Sequence, residues 1–192
     1  MRNLLIACAL KKESSALRER LRLDCQFLVT GLGARRTKLI LQRYFESHVP
    51  SLLIFTGTAG QLDPALTMGK VIFPEEWCLE DGVCFSIDAG IASVLRESGK
   101  LEISGRGLTV STPVVRAKSR RALYRKHGAH ICDLESAVVL EVAQKHAVPC
   151  LAPKIVSDTA GSGLSGFWES FDRNMDILAG YVENLVNCIG KA

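Results

Sequence analysis

The stretch Leu52-Leu53-Ile54-Phe55-Thr56-Gly57-Thr58-Ala59-Gly60 decides the fold. Its first half is apolar without alternating polar residues, the pattern of a strand buried on both faces and hence central in a parallel sheet. The glycines that follow predict a tight strand-to-helix turn. Upstream, residues 4–9 form a second apolar strand. Residues 13–23 follow as a helix with Ala16, Leu17 and Leu21 on one side and Arg18, Glu19 and Arg22 on the other. Residues 26–30 repeat the strand pattern, Gly31-Leu32-Gly33 turns the chain, and residues 34–47 carry Leu39, Ile40, Tyr44 and Phe45 as a helical stripe. Downstream the spacing predicts a short strand at 71–73, a hairpin around Glu80-Asp81-Gly82 and a helix at 91–98. A strand at 108–111 and a basic helix at 119–127, closed by Gly128, come next. Residues 135–147 form a helix apolar on most of its circumference, residues 150–157 one last strand, and residues 165–188 one or two helices. Alternation of this kind implies an α/β protein with a central, mostly parallel or mixed twisted sheet flanked by helices.

Length and composition set the limits. With about 150 residues expected per domain, the 192 residues are read as a single domain, 1–192. At 47% hydrophobic and 23% charged, the chain can bury a sizeable core, which excludes disordered and fibrous classes. The net charge is +4, yet Arg116, Lys118, Arg120, Arg121, Arg125 and Lys126 contribute six positive charges, so the rest sums to 4 − 6 = −2. A nucleic-acid binder spreads its basic surface over several elements, and only Tyr124 is interleaved here, so the run is read as a solvated helix face with no nucleic-acid partner. The longest uncharged run, 47–62, is broken by Pro50, Gly57 and Gly60 and is no transmembrane segment. Seven cysteines, odd in number and without a CxxC pair, read as reduced thiols of a cytoplasmic protein. His48, His127, His130 and His146 lack ligand spacing, so no metal is expected.

In open α/β sheets ligands bind beyond the carboxyl ends of the strands. Four segments fall there: Ala9-Leu10-Lys11-Lys12-Glu13, Thr56-Gly57-Thr58-Ala59-Gly60, Cys132-Asp133-Leu134-Glu135-Ser136 and Val156-Ser157-Asp158-Thr159-Ala160. Singly, each has a plain structural reading, since Glu13 and Glu135 suit the first turn of a helix and Asp158 suits a turn. Together they bring carboxylates and a glycine-rich segment to one sheet edge, which makes a polar pocket.

These segments resemble the nucleoside phosphorylase and nucleosidase superfamily, especially methylthioadenosine/S-adenosylhomocysteine nucleosidases and hopanoid-associated phosphorylases. The resemblance rests on the opening segment ending in Glu13, on Gly31-Leu32-Gly33, on Thr56-Gly57-Thr58-Ala59-Gly60 with Gly69-Lys70-Val71, and on Asp133-Leu134-Glu135-Ser136 with Ala147-Val148-Pro149 and Ser157-Asp158. It implies that Glu13 activates the attacking water and that Asp158 protonates or hydrogen-bonds the purine. It further implies that Glu135 binds the ribose hydroxyls, that Leu134 packs beside the sugar, and that Thr58, Ala59, Gly60 and Ser157 line the substrate site. Such chemistry passes through an oxocarbenium-like sugar and divides labour as glycosidases do. An acid role for Asp158 near neutral pH calls for burial.

The chain also departs from the family. Lys154 stands where nucleosidases have arginine, Val115 stands where a base-stacking phenylalanine is expected, and the 73–107 segment is short. Trp77 and Phe167 are the candidates to replace that stacking ring. Phe55 stands where a phosphorylase arginine would be, which favours water over phosphate, while Lys12 and Lys154 remain candidates for positioning phosphate or water. The expected activity is therefore cleavage of the N-glycosidic bond of a purine nucleoside or 5′-modified adenosine, by water, without cofactor, in a homodimer. The alternatives are a phosphate-dependent phosphorylase, with an adenosylated lipid among its substrates, and a nucleoside-binding relative without turnover.

Overall fold

The computed structural model describes residues 3–99, 101, 103, 105–160 and 163–190, with side chains of the last helix from Trp168 onward. The first half of the chain runs β1 (Leu4–Cys8), α1 (Lys11–Arg20), β2 (Cys25–Val29), α2 (Ala34–Phe45), β3 (Leu52–Phe55), β4 (Gly57–Gln61), β5 (Val71–Ile72), β6 (Glu76–Leu79) and β7 (Cys84–Ser86). The second half runs α3 (Ala89–Ser98), β8 (Arg106–Thr109), α4 (Ala117–His127), β9 (Ile131–Asp133), α5 (Ser136–Lys145), β10 (Cys150–Leu151), β11 (Lys154–Asp158) and α6 (Gly163–Ile189). The α/β alternation expected from the sequence is present, and α6 is one helix.

The expected mostly parallel or mixed twisted sheet flanked by helices is present, and its strands divide into two ladders. The first is wholly parallel, in the order β10-β3-β1-β2, and the second is mixed, in the order β5-β11-β4-β9-β8-β6-β7. Two neighbouring strands cross from one sheet to the other. After β3 the chain bends at Thr56 and continues as β4, so Gly57–Gln61 is a strand and not the strand-to-helix turn expected. The expected strand 150–157 is likewise split into β10 and β11, because Pro153 has no N–H to donate to a ladder. Thr56 fastens the two bends together: its N–H donates to the Ala7 carbonyl at 2.9 Å and its Oγ1 to the Pro153 carbonyl at 2.9 Å. Beyond the bend, β4 and β11 pair in parallel, as β3 and β10 do before it.

Helix α5 fills the space between the sheets. It touches β3 and β10 of the first and β6, β7 and β8 of the second, which is why it is apolar nearly all round. Helix α6 covers β11 and packs against α1 and α3. Among the described residues no helix is long and apolar enough to cross a membrane.

Two further sequence expectations are corrected. Cys78 and Cys84 face each other across the β6–β7 hairpin and form a disulfide, so not all thiols are free. Helix α4 is not a wholly solvated face, because Arg120 turns inward and is buried.

Leu140 of α5 has no exposed surface. Leu140→Ala is expected to lower the unfolding free energy by about 2–5 kcal/mol, read as a shifted urea midpoint with an unchanged slope.

Candidate active site

A cavity of about 380 Å³ opens beyond the carboxyl ends of β1, β9 and β11 and along β4. Its size is that of a small-molecule site. Glu13, Thr58, Ala59, Gly60, Leu134, Glu135, Lys154, Ser157 and Asp158, all singled out in the sequence, line it together.

Glu13 sits in the first turn of α1 and is buried. Its Oε2 accepts from the Leu10 N–H at 3.2 Å, and its Oε1 accepts from the Thr58 N–H at 2.9 Å and the Thr58 hydroxyl at 2.7 Å. Three donors thus fix the carboxylate while it still faces the cavity. Gly57 makes the approach possible: its φ is +148°, and a Cβ there would lie 2.9 Å from both carboxylate oxygens. The value of the Thr-Gly-Thr-Ala-Gly segment is therefore a strand edge with no side chain in the way.

Asp133 is the anchor of the opposite wall. It accepts from the Thr109 hydroxyl at 2.9 Å, from the backbone N–H groups of Glu135 and Ser136, and from the Ser136 hydroxyl. Lys154, 2% exposed, places its ammonium 3.4 Å from Asp133 and 3.8 Å from the Phe55 ring centre. The charge that sequence reading left for phosphate or water is thus committed to a buried ion pair. Glu135, whose backbone Asp133 holds, accepts from the Gly33 N–H at 2.7 Å. It has no cation of its own. Burial first and the Asp133 charge second push its carboxyl up to about 7, against the pull of the Gly33 N–H and Lys154.

Asp158, at the end of β11, forms an ion pair with Arg120 and accepts from the Ser157 hydroxyl at 3.0 Å. Arg120 is a site residue that sequence reading missed. The signal was available: Arg120 lies three and four residues before Leu123 and Tyr124, the apolar residues by which α4 packs inward.

Other expectations do not hold. Lys12 lies outside the cavity lining, with its ammonium 4.5 Å from the Trp168 ring centre and 4.3 Å from that of Phe171. Trp77 cannot stack on a base, since it is wholly buried with its Nε1–H donating to the Ala152 carbonyl at 3.3 Å. The Phe167 side chain lies outside the described residues. Trp168, not singled out from the sequence, lines the cavity and is exposed, as are Leu32 and Val115. Elsewhere, Glu76, Cys78 and Cys84 come together, but the two sulfurs are bonded to each other and Glu76 pairs with Arg106.

Fold and site define an α/β protein with a carboxylate-lined small-molecule cavity at its strand ends. The family model of the phosphorylase superfamily matches residues 26–188, and the chain belongs to that superfamily. A 5′-methylthioadenosine/S-adenosylhomocysteine nucleosidase of Buchnera aphidicola is 22% identical over 187 residues, covering 86% of this chain and 79% of that protein. A futalosine hydrolase mutant of Helicobacter pylori superposes with a TM-score of 0.85 at 15% identity, covering 97% of this chain and 99% of that one. The 5′-methylthioadenosine/S-adenosylhomocysteine nucleosidase of Helicobacter pylori, with butyl-thio-DADMe-Immucillin-A, gives 0.83 at 14% identity, covering 97% and 98%. The fold is shared with both structures.

Asp133→Asn removes the ion-pair partner of the buried Lys154 ammonium, and is expected to cost up to about 3–5 kcal/mol of stability by urea unfolding, less where Glu135 ionises in its place. For Glu135 the sign is the reverse of the usual carboxylate. Its folded pKa lies above the unfolded one, so the folded state binds more protons between the two, and stability falls as pH rises from the ordinary carboxylate range to about 7. Melting temperatures of wild type and Glu135→Gln, compared from pH 4.5 to 8, should show wild type losing ground relative to the variant across that window.

Proposed function

We propose that the protein hydrolyses the N-glycosidic bond of a purine nucleoside or a 5′-modified adenosine. The observation that carries this reading is Glu13: a buried carboxylate, held by three donors, that faces the same cavity as Glu135 and Asp158. A carboxylate so fixed is suited to take a proton from water aimed at the anomeric carbon. The bond between that carbon and the base nitrogen breaks as the new C–O bond forms, and its electron pair leaves with the base. Glu135, once ionised, accepts the two adjacent ribose hydroxyls, and Asp158 faces the departing base. Leu134 packs beside the sugar, and Trp168 offers the aromatic face that Val115 lacks.

Water is favoured over phosphate by the charges. Among the described lining residues the cations are Arg120 and Lys154, each paired with an aspartate, and the position of the phosphorylase arginine is Phe55, wholly buried. The nucleosidases and the futalosine hydrolase to which the chain is similar bear hydrolytic names, which supports the same choice. We place the enzyme in the cytoplasm on the five thiols that stay free, Cys8, Cys25, Cys132, Cys150 and Cys188, against which stands the one disulfide of the described residues, Cys78–Cys84. The exposed apolar residues Leu32 and Val115 at the cavity mouth support a homodimer that shields them.

Base release from methylthioadenosine, S-adenosylhomocysteine, adenosine and inosine, followed by chromatography with and without phosphate, tests the reading. Release without phosphate is expected, with Glu13→Gln lowering kcat by about 100-fold or more and Asp158→Asn, which alters the contact to the departing base, lowering it as well. Release that requires phosphate would overturn hydrolysis, and full activity in Glu13→Gln would remove that carboxylate from the mechanism.

A further inference from the structure

Six basic residues cluster between 116 and 126, and of the helical ones only Arg120 is buried. A guanidinium has five N–H groups in a rigid planar fork. Four are accounted for. Nε donates to the Val114 carbonyl at 2.8 Å, Nη1 donates to the Gln61 carbonyl at 3.0 Å and the Asp158 carbonyl at 3.1 Å, and Nη2 donates to Asp158 Oδ2. The fifth N–H belongs to Nη2, the atom beside the Asp158 carboxylate, in a residue that lines the cavity. Gly60 lies against the pair: a Cβ there would stand in ordinary contact, 3.4 Å from Nη1 and 3.5 Å from Asp158 Oδ2. Asp158's side chain is 21% exposed and that of Arg120 is 6%. The carboxylate therefore reaches open space, and the cation lies behind it in the wall.

We propose that Arg120 and Asp158 form one recognition unit for a 6-aminopurine, with Asp158 accepting from the amino group and Arg120 donating its fifth N–H to N7. This rests on the hydrolase reading and deepens it. A carboxylate oxygen next to a guanidinium N–H presents an acceptor beside a donor. The edge of adenine that carries N6 and N7 offers the complementary donor beside an acceptor, whereas a 6-oxopurine offers two acceptors there. The same contact assists bond cleavage. As the glycosidic bond breaks, its electron pair spreads into the imidazole ring, N7 becomes a stronger acceptor, and the hydrogen bond from the permanently charged guanidinium tightens. Arg120 keeps its proton. The proton that Glu13 removes from water is matched by one that the released base takes from solvent, so charge and atoms balance.

The test compares Arg120→Gln with wild type on two substrates that share a sugar and differ in leaving group. These are 5′-methylthioadenosine and the 4-nitrophenyl glycoside of 5-methylthioribose, whose leaving group has neither N7 nor an amino group. Loss of one base contact predicts a fall in kcat on the purine of on the order of tenfold or more, with little change on the nitrophenyl compound. Equal falls on both would make Arg120 a structural residue, and no fall on either would remove it from the site; both overturn the proposal. Should Arg120→Gln fail to fold, Arg120→Lys is read instead, because a compact ammonium cannot reproduce the fork, and the same split is expected. Wild type that releases no base from any nucleoside defeats the hydrolase reading and not this one. Calorimetry of wild type with adenine and with hypoxanthine then decides: tighter binding of adenine supports the unit, while equal binding, or binding of neither, overturns it.

Discussion

One hydrogen bond, from the buried Thr56 hydroxyl to the Pro153 carbonyl, ties together the two places where the chain changes sheets. The rest of the site depends on that double bend. Were β3 and β10 to run straight on, Thr58 and Lys154 would continue the first sheet, and no cavity would open at its carboxyl end. Because both strands turn at the same level, β4 offers its edge to Glu13, and β11 carries Lys154 to Asp133 and Asp158 to Arg120. Proline supplies the missing donor on one strand and glycine the unobstructed backbone on the other.

Placing four carboxylates around one cavity is costly, since an uncompensated charge away from water loses several kcal/mol of solvation. The structure answers in three ways. Asp133 and Asp158 each have a cation, and Glu13 has two backbone N–H groups and a hydroxyl. Glu135 has a single N–H, so the free energy goes into its proton instead and its pKa rises to about 7. The group with the fewest native donors is the one best able to gain from two ligand hydroxyls.

The elements and most of the lining residues were legible in the sequence because apolar periodicity reports burial directly. Residues 52–55 could only be an interior strand, and the four segments after apolar runs did converge. What escaped reading depends on direction. Gly57-Thr58-Ala59-Gly60 has the composition of a turn and no β-branched run to mark a strand; tertiary pairing with β11 and β9 makes it one. Pro153 was present as a signal, yet an apolar run on both sides of it reads as one strand. Arg120 is indistinguishable from its basic neighbours by composition and differs only in sharing the inward stripe of α4. Lys12 and Glu13 are adjacent, and a helix sends adjacent residues to different faces, so only Glu13 enters the cavity. The Cys78–Cys84 pair follows from hairpin register, which the Asp81-Gly82 turn fixes and cysteine counting does not.

The charge of the finished cavity bears on its chemistry as a whole. Its described walls carry Glu13, Asp133 and Asp158 against Arg120 and Lys154, and Glu135, with its carboxyl pushed up to about 7, adds to the excess of acid only as it ionises. Such a field repels a phosphate dianion at the place where a phosphorylase must hold it, and no described lining cation is left unpaired to offset the repulsion. The same field favours positive charge. In the proposed glycosidic cleavage the sugar would become cationic as the base departs, and an excess of carboxylate around it would lower that state relative to the neutral substrate. On the proposed hydrolytic reading, the arrangement that would make phosphate a poor nucleophile is the one that would make water sufficient, because a sugar already stabilised as a cation needs only a weak nucleophile with a base behind it. Glu13, ordered by α1 and by the edge of β4, is the carboxylate to which the proposed reaction assigns that role.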